Sequence, residues 1–332
     1  MFSKNFEKWD TILGWTAFFI AFIVYFITVE PTSSFWDAGE YISTSAKLQV
    51  GHPPGAPLMQ MIGAFFAMFA FGNDQLVARM VNFVSGASSA FTILFMFWTI
   101  TNLTRKLISK KDALTNSKAI AVLGSGLVGS LAFTFSDSFW FNAVETEVYA
   151  MASLIMAMLL WLGLKWTDDL DNPRGNKWLV LISFIVGLTF GIQFMGFLAI
   201  PSIGLLYYFK KYKTTTVKNF LIANIVVIAI LMLVYKFSLT YILKLFGWGE
   251  VFFINNIGLP FNSGSIIIGI LFIAAFYFGL NYTRKNEYKT ANTIVLCLMF
   301  LFLGFSSWIM LPIRANANVV INENDPSDAR SL

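Results

Sequence analysis

Long runs of apolar residues recur along the whole chain, and they constrain its fold more than any other feature. A helix needs roughly 18 to 20 apolar residues to cross a bilayer, and nine runs approach or exceed that length. They lie at about 11–29, 77–103, 119–136, 148–166, 178–192, 194–209, 217–238, 264–281 and 291–311. The sequence therefore predicts an all-α fold, a polytopic bundle of about nine transmembrane helices.

Composition supports a membrane protein over the other fold classes. Only 12% of the residues are charged, against about a quarter in a soluble domain. A transmembrane barrel would require short segments of alternating hydrophobicity, and no such pattern dominates. Cys297 is the single cysteine and lies inside an apolar run, so no disulfide framework is predicted. The fifth and sixth runs are nearly continuous, and we expect a tight turn near Gly191 to separate them.

The positive charges predict how the bundle is oriented. If the N-terminus is cytoplasmic, 17 of the 23 lysine and arginine residues fall on the cytoplasmic side, Lys110 and Lys111 among them. Cytoplasmic loops of membrane proteins carry such an excess of positive charge. We therefore expect a cytoplasmic N-terminus, a C-terminus outside and the bilayer as a partner. Membrane topology explains the net charge of +5, and no nucleic-acid partner is expected.

The first outer loop concentrates polar chemistry in "FWDAGEYISTSAKLQVGHPPGAP", residues 35–57. If "SFWDAGEYISTSAKLQV" is helical, Asp37 and Glu40 lie three residues apart on one face, with Tyr41 adjacent. A carboxylate in a partly desolvated pocket can act as a general base toward a hydroxyl. An amphipathic interfacial helix whose acids face water would show the same spacing. The spacing alone leaves both interpretations open.

His52, the single histidine, opens "HPPGAP". Proline is tolerated in the first turn of a helix, so a juxtamembrane helix could begin at these prolines. His52 would then lie at a helix N-terminus, where an anion such as phosphate is favoured; a polar cap is the alternative. With one histidine, no usable cysteine and no D-x-D pair in the outer segments, no metal site is predicted.

Four further charged residues are predicted to lie at the outer edge. Glu145 and Glu147 cannot share a helical face, so we expect one to point inward and the other to face solvent, unless both form a polar rim. Arg79 begins the second run and Arg314 follows the ninth. Either arginine could bind a phosphate or anchor its helix in the lipid headgroups.

The order of these residues resembles a known superfamily. GT-C glycosyltransferases, which include protein O-mannosyltransferases and lipid A aminoarabinose transferases, place an acid, an aromatic residue and a His/Lys-Pro-Pro unit after the first span. Asp37, Tyr41 and His52-Pro53-Pro54 stand in that order. The chain is more similar to a bacterial multi-pass family of this type, related to a eukaryotic transmembrane O-mannosyltransferase. The stretches "FWDAGEY…GHPPGAPL", "FWFNAVETEVYAM" and "IRANANVVINENDPSDA" carry that similarity.

The resemblance implies an inverting transfer of a sugar, such as a mannose-like hexose, from a polyprenyl-phosphate donor to an acceptor hydroxyl. The acceptor would be a protein or a glycan, on the periplasmic face of a bacterial inner membrane, with no nucleotide, metal or other cofactor. Asp37 would be the general base and Glu40 would orient the acceptor. The remaining roles implied are donor-phosphate binding by His52, Arg79 and Arg314, and substrate lining by Tyr41, Glu145 and Glu147.

The resemblance also predicts the domain organisation. Residues 1–311 would form a GT-C-like transmembrane domain with juxtamembrane helices in the first outer loop. Residues 312–332 would begin a longer outer C-terminal region. Two other classes of function stay open. A transporter predicts ionisable residues or broken helices within the membrane, and a scaffold subunit would leave Asp37 and Glu40 without a task.

Overall fold

The structure, a computed structural model, describes residues 2–108 and 113–332. Lys110 and Lys111, which contribute to the predicted orientation, lie outside the described residues. Helices are the regular elements throughout the described ranges, which contain no β-strand. The chain divides into two compact units, the first formed by residues 1–47 and 59–165 and the second by 48–58 and 166–332.

Within the described residues, the first unit contains seven α-helices. They are α1 (Phe6–Thr28), α2 (Ala38–Lys47), α3 (Pro57–Ala67), α4 (Asp74–Leu107), α5 (Asn116–Thr134), α6 (Asp137–Val144) and α7 (Val148–Asp168). The unit boundaries cut the first residues of α3 and the last of α7. Three of these helices, α2, α3 and α6, are too short to span a bilayer. Of the three, α2 and α6 belong to the segments that carry the predicted carboxylates.

Small residues let the helices of the first unit approach closely. Ala17 and Ala21 lie four apart on α1 and are fully buried in the core that α1 forms with α4, α5 and α6. On α5, a Cβ atom at Gly126 would lie 2.6 Å from the Thr101 side chain and 2.8 Å from that of Phe97. Such small residues at helix interfaces are typical of membrane proteins, where close backbone packing replaces the hydrophobic effect.

The second unit is also helical. Its elements are α8 (Lys177–Thr189), α9 (Ala199–Lys211), α10 (Val217–Tyr235), α11 (Leu243–Asn255), α12 (Ser263–Lys285), α13 (Lys289–Phe305) and α14 (Met310–Ala315). The backbones of α8 and α13 touch, because a Cβ atom at Gly187 would lie 2.0 Å from the Leu301 carbonyl oxygen. The turn between α11 and α12 is closed by Glu250, whose carboxylate accepts hydrogen bonds from Asn262 N–H and from Ser265.

Within residues 2–108 and 113–332, seven segments are long and apolar enough to cross a membrane, so the predicted all-α polytopic bundle is confirmed. They are Phe6–Thr28, Asp74–Leu107, Asn116–Thr134, Val148–Asp168, Val217–Asn255, Ser263–Lys285 and Lys289–Ala315. The other two predicted spans correspond to α8 and α9, each of 13 residues. The expected break near Gly191 is present, since α8 ends at Thr189 and helical structure resumes at Phe194.

Candidate functional site

The two units divide the predicted site residues between them. The first unit contains Asp37, Glu40, Tyr41, Arg79, Glu145 and Glu147, and the second contains His52 and Arg314. The first unit therefore carries every predicted carboxylate. All of these carboxylates lie in the segments that follow α1 or join α6 to α7, and both segments are at the end of the unit where α1 finishes.

The helix that carries the first acidic pair is shorter than the sequence suggested. It begins at Ala38, and the Asp37 carbonyl accepts the hydrogen bond of the Tyr41 N–H at 3.0 Å. Asp37 is thus the residue that starts the helix, with Glu40 in its first turn. Trp36 has a positive φ of 62° and turns the chain into the helix. The Asp37 side chain is exposed, whereas that of Glu40 is half-buried.

Tyr41 lies at the centre of the acidic residues. Its ring is 8% exposed. Burial raises the pKa of the Tyr41 phenol, and the nearby carboxylates of Glu147, Asp37 and Glu40 raise it further. The phenol therefore stays protonated at physiological pH and remains a hydrogen-bond donor among three carboxylates. The structure brings together an acid from before α2, one from inside α2 and one from the α6–α7 connection.

The prediction for Glu145 and Glu147 was wrong in one respect. Both residues are buried, at 4% and 8% exposure, and neither faces solvent. The reason is the backbone, because residues 145–147 are not helical and Glu145 has extended dihedrals of −126° and 158°. The helical spacing that would separate the two glutamates therefore does not apply to this segment.

Asn82 holds this part of the first unit together, and sequence reasoning missed it. It lies on α4 at 1% exposure. Its side-chain amide donates hydrogen bonds to the carbonyls of Glu30 at 2.8 Å and Thr32 at 2.9 Å. Its side-chain oxygen accepts one from the hydroxyl of the buried Thr146. A polar amide inside a predicted membrane helix was the available signal, because such residues are costly there unless they have partners.

Arg79 lies one helical turn before Asn82 on α4. Its Nε is buried and has no hydrogen-bond partner within residues 2–108 and 113–332. The guanidinium carbon is 5.9 Å from the centre of the Phe83 ring, which fixes one face of the group. A guanidinium with a buried, unpartnered donor is suited to an anionic oxygen, because leaving such a donor unsatisfied costs free energy.

His52 does not lie at a helix N-terminus, contrary to the sequence prediction. α3 begins at Pro57, five residues further along the chain. His52 opens a turn in which the Gly55 N–H donates to the His52 carbonyl at 2.8 Å. Gly55 has a φ of 72°, a conformation that disfavours helix and postpones it to the third proline. The His52 side chain is half-buried in the second unit.

Arg314 anchors the chain next to the His-Pro-Pro turn. Its Nε donates a hydrogen bond to the Leu48 carbonyl. The same region is held by backbone pairing, in which the Val50 N–H donates to the Ile321 carbonyl at 3.0 Å and the Glu323 N–H to the Val50 carbonyl at 3.1 Å. Two of the stretches that carry the resemblance therefore meet within the second unit.

The carboxylate-rich end of the first unit can accept protons and hydrogen-bond a hydroxyl-rich ligand. Within the described ranges no cluster of three or more His, Cys, Asp or Glu residues has the arrangement of a metal site. The second unit encloses a cavity of about 500 Å³ between α8, α9 and α10. That cavity is apolar and holds none of the predicted site residues.

Comparison with known proteins gives the family. The model of the family described as "Protein O-mannosyl-transferase TMEM260 N-terminal domain" matches residues 37–216. The chain is 29% identical over 178 residues to "Protein O-mannosyl-transferase tmem260" of Dictyostelium discoideum, covering 50% of this chain and 20% of that protein. It is 26% identical over 167 residues to "Protein O-mannosyl-transferase TMEM260" of Mus musculus, covering 50% and 21%.

The chain thus matches about a fifth of the length of these relatives. No solved structure matches it significantly. The family match begins at Asp37 and includes Glu40, Tyr41, Arg79, Glu145 and Glu147. Because this match covers more than half of the 332 residues, the chain belongs to the family of the protein O-mannosyl-transferase TMEM260 N-terminal domain.

Proposed function

We propose that the chain is a membrane glycosyltransferase that moves a mannose-like hexose from a polyprenyl-phosphate donor to an acceptor hydroxyl, on protein Ser or Thr, with inversion. The names of the relatives support protein O-mannosyl transfer. The lipid-phosphate donor and the inversion come from the resemblance to GT-C enzymes. The single observation that carries the proposal is the buried phenol of Tyr41, whose pKa is raised by burial and then by the carboxylates of Glu147, Asp37 and Glu40.

In the proposed reaction Asp37 acts as the general base. Its side chain is exposed, so an acceptor can reach it, while Glu40 and Glu147 are more enclosed. The acceptor oxygen forms a bond to the anomeric carbon as its proton passes to the Asp37 carboxylate. The bond between the anomeric carbon and the donor phosphate oxygen breaks, and the polyprenyl phosphate leaves with the electron pair.

The other residues of the first unit would bind and orient the reactants. Glu40 orients the acceptor, and Tyr41 donates its phenolic hydrogen to a substrate oxygen. Glu145 and Glu147 line the sugar. Arg79 stabilises the negative charge that develops on the leaving phosphate. A hydrogen bond from its guanidinium to the phosphate oxygen becomes stronger as that charge grows in the transition state.

The phosphate roles of His52 and Arg314 rest on the resemblance alone. In the structure Arg314 donates a hydrogen bond to the Leu48 carbonyl. The extension of residues 312–332 into a longer outer region also stays a prediction.

We assign the reaction to the periplasmic face of a bacterial inner membrane. The support is the distribution of lysine and arginine, which favours a cytoplasmic N-terminus. The acidic residues lie at the end of the first unit where α1 finishes, and α1 is long enough to span the membrane. The site would therefore face the side opposite the N-terminus.

Donor choice and product stereochemistry test the function. The purified chain is incubated with polyprenyl-phosphate mannose, polyprenyl-phosphate glucose or GDP-mannose, together with Ser/Thr acceptor peptides. We expect transfer from a lipid-phosphate donor alone, and an inverted anomeric configuration by NMR of the product. Transfer from GDP-mannose, or retention of configuration, would contradict the mechanism. No transfer from any lipid donor, by a chain that is folded by circular dichroism, would favour the transporter or scaffold function.

A further inference from the structure

A polar cavity of about 230 Å³ lies at the other end of the first unit, where α1 begins and α4 and α7 end. Its wall carries the acids Glu7 and Asp10, the cations Arg105 and Lys165, and the indoles of Trp98 and Trp161. α1 has 23 residues, which corresponds to about 34 Å of helix. The cavity is therefore separate from the acidic residues around Tyr41.

The charges of the cavity are balanced but only partly paired. Glu7 and Arg105 form an ion pair, and the Arg105 guanidinium lies 4.7 Å from the centre of the Phe6 ring. Asp10 and Lys165 are different. Asp10 Oδ1 is buried and accepts no hydrogen bond, and Lys165 forms no ion pair, within the part of the chain that the structure describes. The cavity thus offers one carboxylate oxygen without a hydrogen-bond donor and one ammonium that forms no direct ion pair, although it lies within electrostatic reach of Asp10.

The aromatic wall limits what can enter. The rings of Trp98 and Trp161 are 5.6 Å apart and inclined by 31°, and Lys165 Nζ lies 5.4 Å from the centre of the Trp161 ring. Indole faces attract cations and exclude water. Pockets for drug-sized ligands enclose about 300 Å³ or more, so this smaller cavity suits a headgroup and not a sugar nucleotide.

The cavity lies at the depth of lipid headgroups. About 20 residues are enough to cross the hydrocarbon core, so the first turn of a 23-residue helix reaches the headgroup layer. Asp10 and Lys165 are each within two turns of the end of a candidate span. Ionisable residues in spanning helices are costly and mark functional sites.

We propose that this cavity binds the phosphoethanolamine headgroup of a membrane lipid. The primary ammonium donates a hydrogen bond to Asp10 Oδ1, and the phosphate pairs with Lys165. A simple anion would be repelled by Asp10, and a simple cation would be repelled by Lys165. A zwitterion can place its positive group next to Asp10 and its negative group next to Lys165. A choline headgroup has no N–H to give to Asp10, so the site selects the primary amine. This assignment does not depend on the proposed transferase activity.

A lipid series on the unmodified chain provides the first test. The chain in detergent is titrated with phosphatidylethanolamine, phosphatidylcholine, phosphatidylglycerol or soluble O-phosphoethanolamine, and binding is followed by native mass spectrometry and thermal unfolding. We expect phosphatidylethanolamine to bind about tenfold more tightly than either other lipid. One hydrogen bond to a charged group contributes enough binding free energy for that difference in affinity. Equal binding of phosphatidylcholine or phosphatidylglycerol overturns the proposal. If soluble O-phosphoethanolamine binds as tightly as phosphatidylethanolamine, the ligand is not a membrane lipid and that part of the proposal is wrong.

Variants locate the binding. Asp10→Asn and Lys165→Gln should each weaken phosphatidylethanolamine binding about tenfold. Lys4→Gln and Asp171→Asn, at exposed positions outside the cavity, should bind as the unmodified chain does. Unchanged binding by Asp10→Asn would overturn the assignment. If a variant does not fold, the lipid series alone decides.

Discussion

The two ends of the first unit hold similar numbers of charged residues in opposite arrangements. Where α1 ends, Glu145 and Glu147 are buried, and Glu147 joins Asp37 and Glu40 in raising the pKa of Tyr41. Where α1 begins, two acids and two cations line one cavity. An excess of carboxylates suits the removal of a proton from a neutral hydroxyl, whereas balanced charge suits a zwitterion. If both proposals hold, the two ends of one unit differ in function because they differ in charge balance.

The ends also differ in what supports them. The cavity is built on helices, which position side chains with little help from loops. At the acidic end, the side chain of Asn82 hydrogen-bonds loop residues to α4. The geometry of the catalytic end should therefore be the more sensitive to substitution, and four predictions test this difference.

The largest effect is expected at Asp37. Asp37→Asn keeps the shape of the side chain but cannot take the acceptor proton, so transfer should fall by about 10² to 10⁴-fold. The measurement is the initial rate of mannosyl transfer at saturating lipid donor. Asp137→Asn, an exposed acid at the start of α6, is the matched control and should retain the rate. A rate for Asp37→Asn equal to that of the control would contradict the assignment.

Asn82→Leu should show that the loops depend on one side chain. The substitution removes three hydrogen bonds and leaves the buried Thr146 hydroxyl without its partner, at a cost of about 2 to 4 kcal/mol. Unfolding in detergent measures the loss of stability. Asn142→Ala removes an amide that donates to the Ser138 carbonyl of its own helix, and its effect should be much milder. Equal losses for the two variants would show that Asn82 has no special role.

Arg79 tests whether phosphate is recognised at the acidic end. Arg79→Gln should lower kcat/KM for the lipid donor about tenfold, because a charge-assisted hydrogen bond is lost. Arg79→Lys should recover part of the loss, since it restores the charge without the guanidinium geometry. Steady-state kinetics with varied donor and varied acceptor separate the effects. A change confined to the acceptor KM would argue against a phosphate role.

The smallest effect concerns Tyr41 and pH. Its folded-state pKa is raised above the ordinary value of 10.0, so the unfolded chain loses this proton first as the pH rises. Stability is then fully present below about pH 10 and decreases above it, by at most about 1.4 kcal/mol per pH unit. Tyr41→Phe should remove this component, so its stability should fall less steeply above pH 10. Parallel pH profiles for the two proteins would contradict the buried environment of the phenol.

The sequence predicted the helical elements well because hydropathy alone determines which segments can cross a membrane. The shared helical face of Asp37 and Glu40 stays a prediction, since Asp37 precedes the first residue of α2. The sequence could not place His52, since three prolines leave open which one starts the helix, and the positive φ of Gly55 decides in favour of Pro57.

The remaining errors have tertiary causes. Glu145 and Glu147 were separated by a helical argument, whereas their segment is extended. The role of Asn82 depends on hydrogen bonds to residues 50 or more positions away. Local sequence patterns cannot predict such distant hydrogen-bond partners. The available signal is a polar residue within an apolar run.

Photoaffinity labelling tests most directly which end of the first unit carries out transfer. Polyprenyl-phosphate mannose with a diazirine on the sugar is bound to the chain and irradiated, and the labelled peptides are identified by mass spectrometry. Our account predicts labels in the peptides that contain residues 35–41 and 145–149. Labels restricted to the opposite end, around residues 7–10, 98–105 and 161–165, would contradict it.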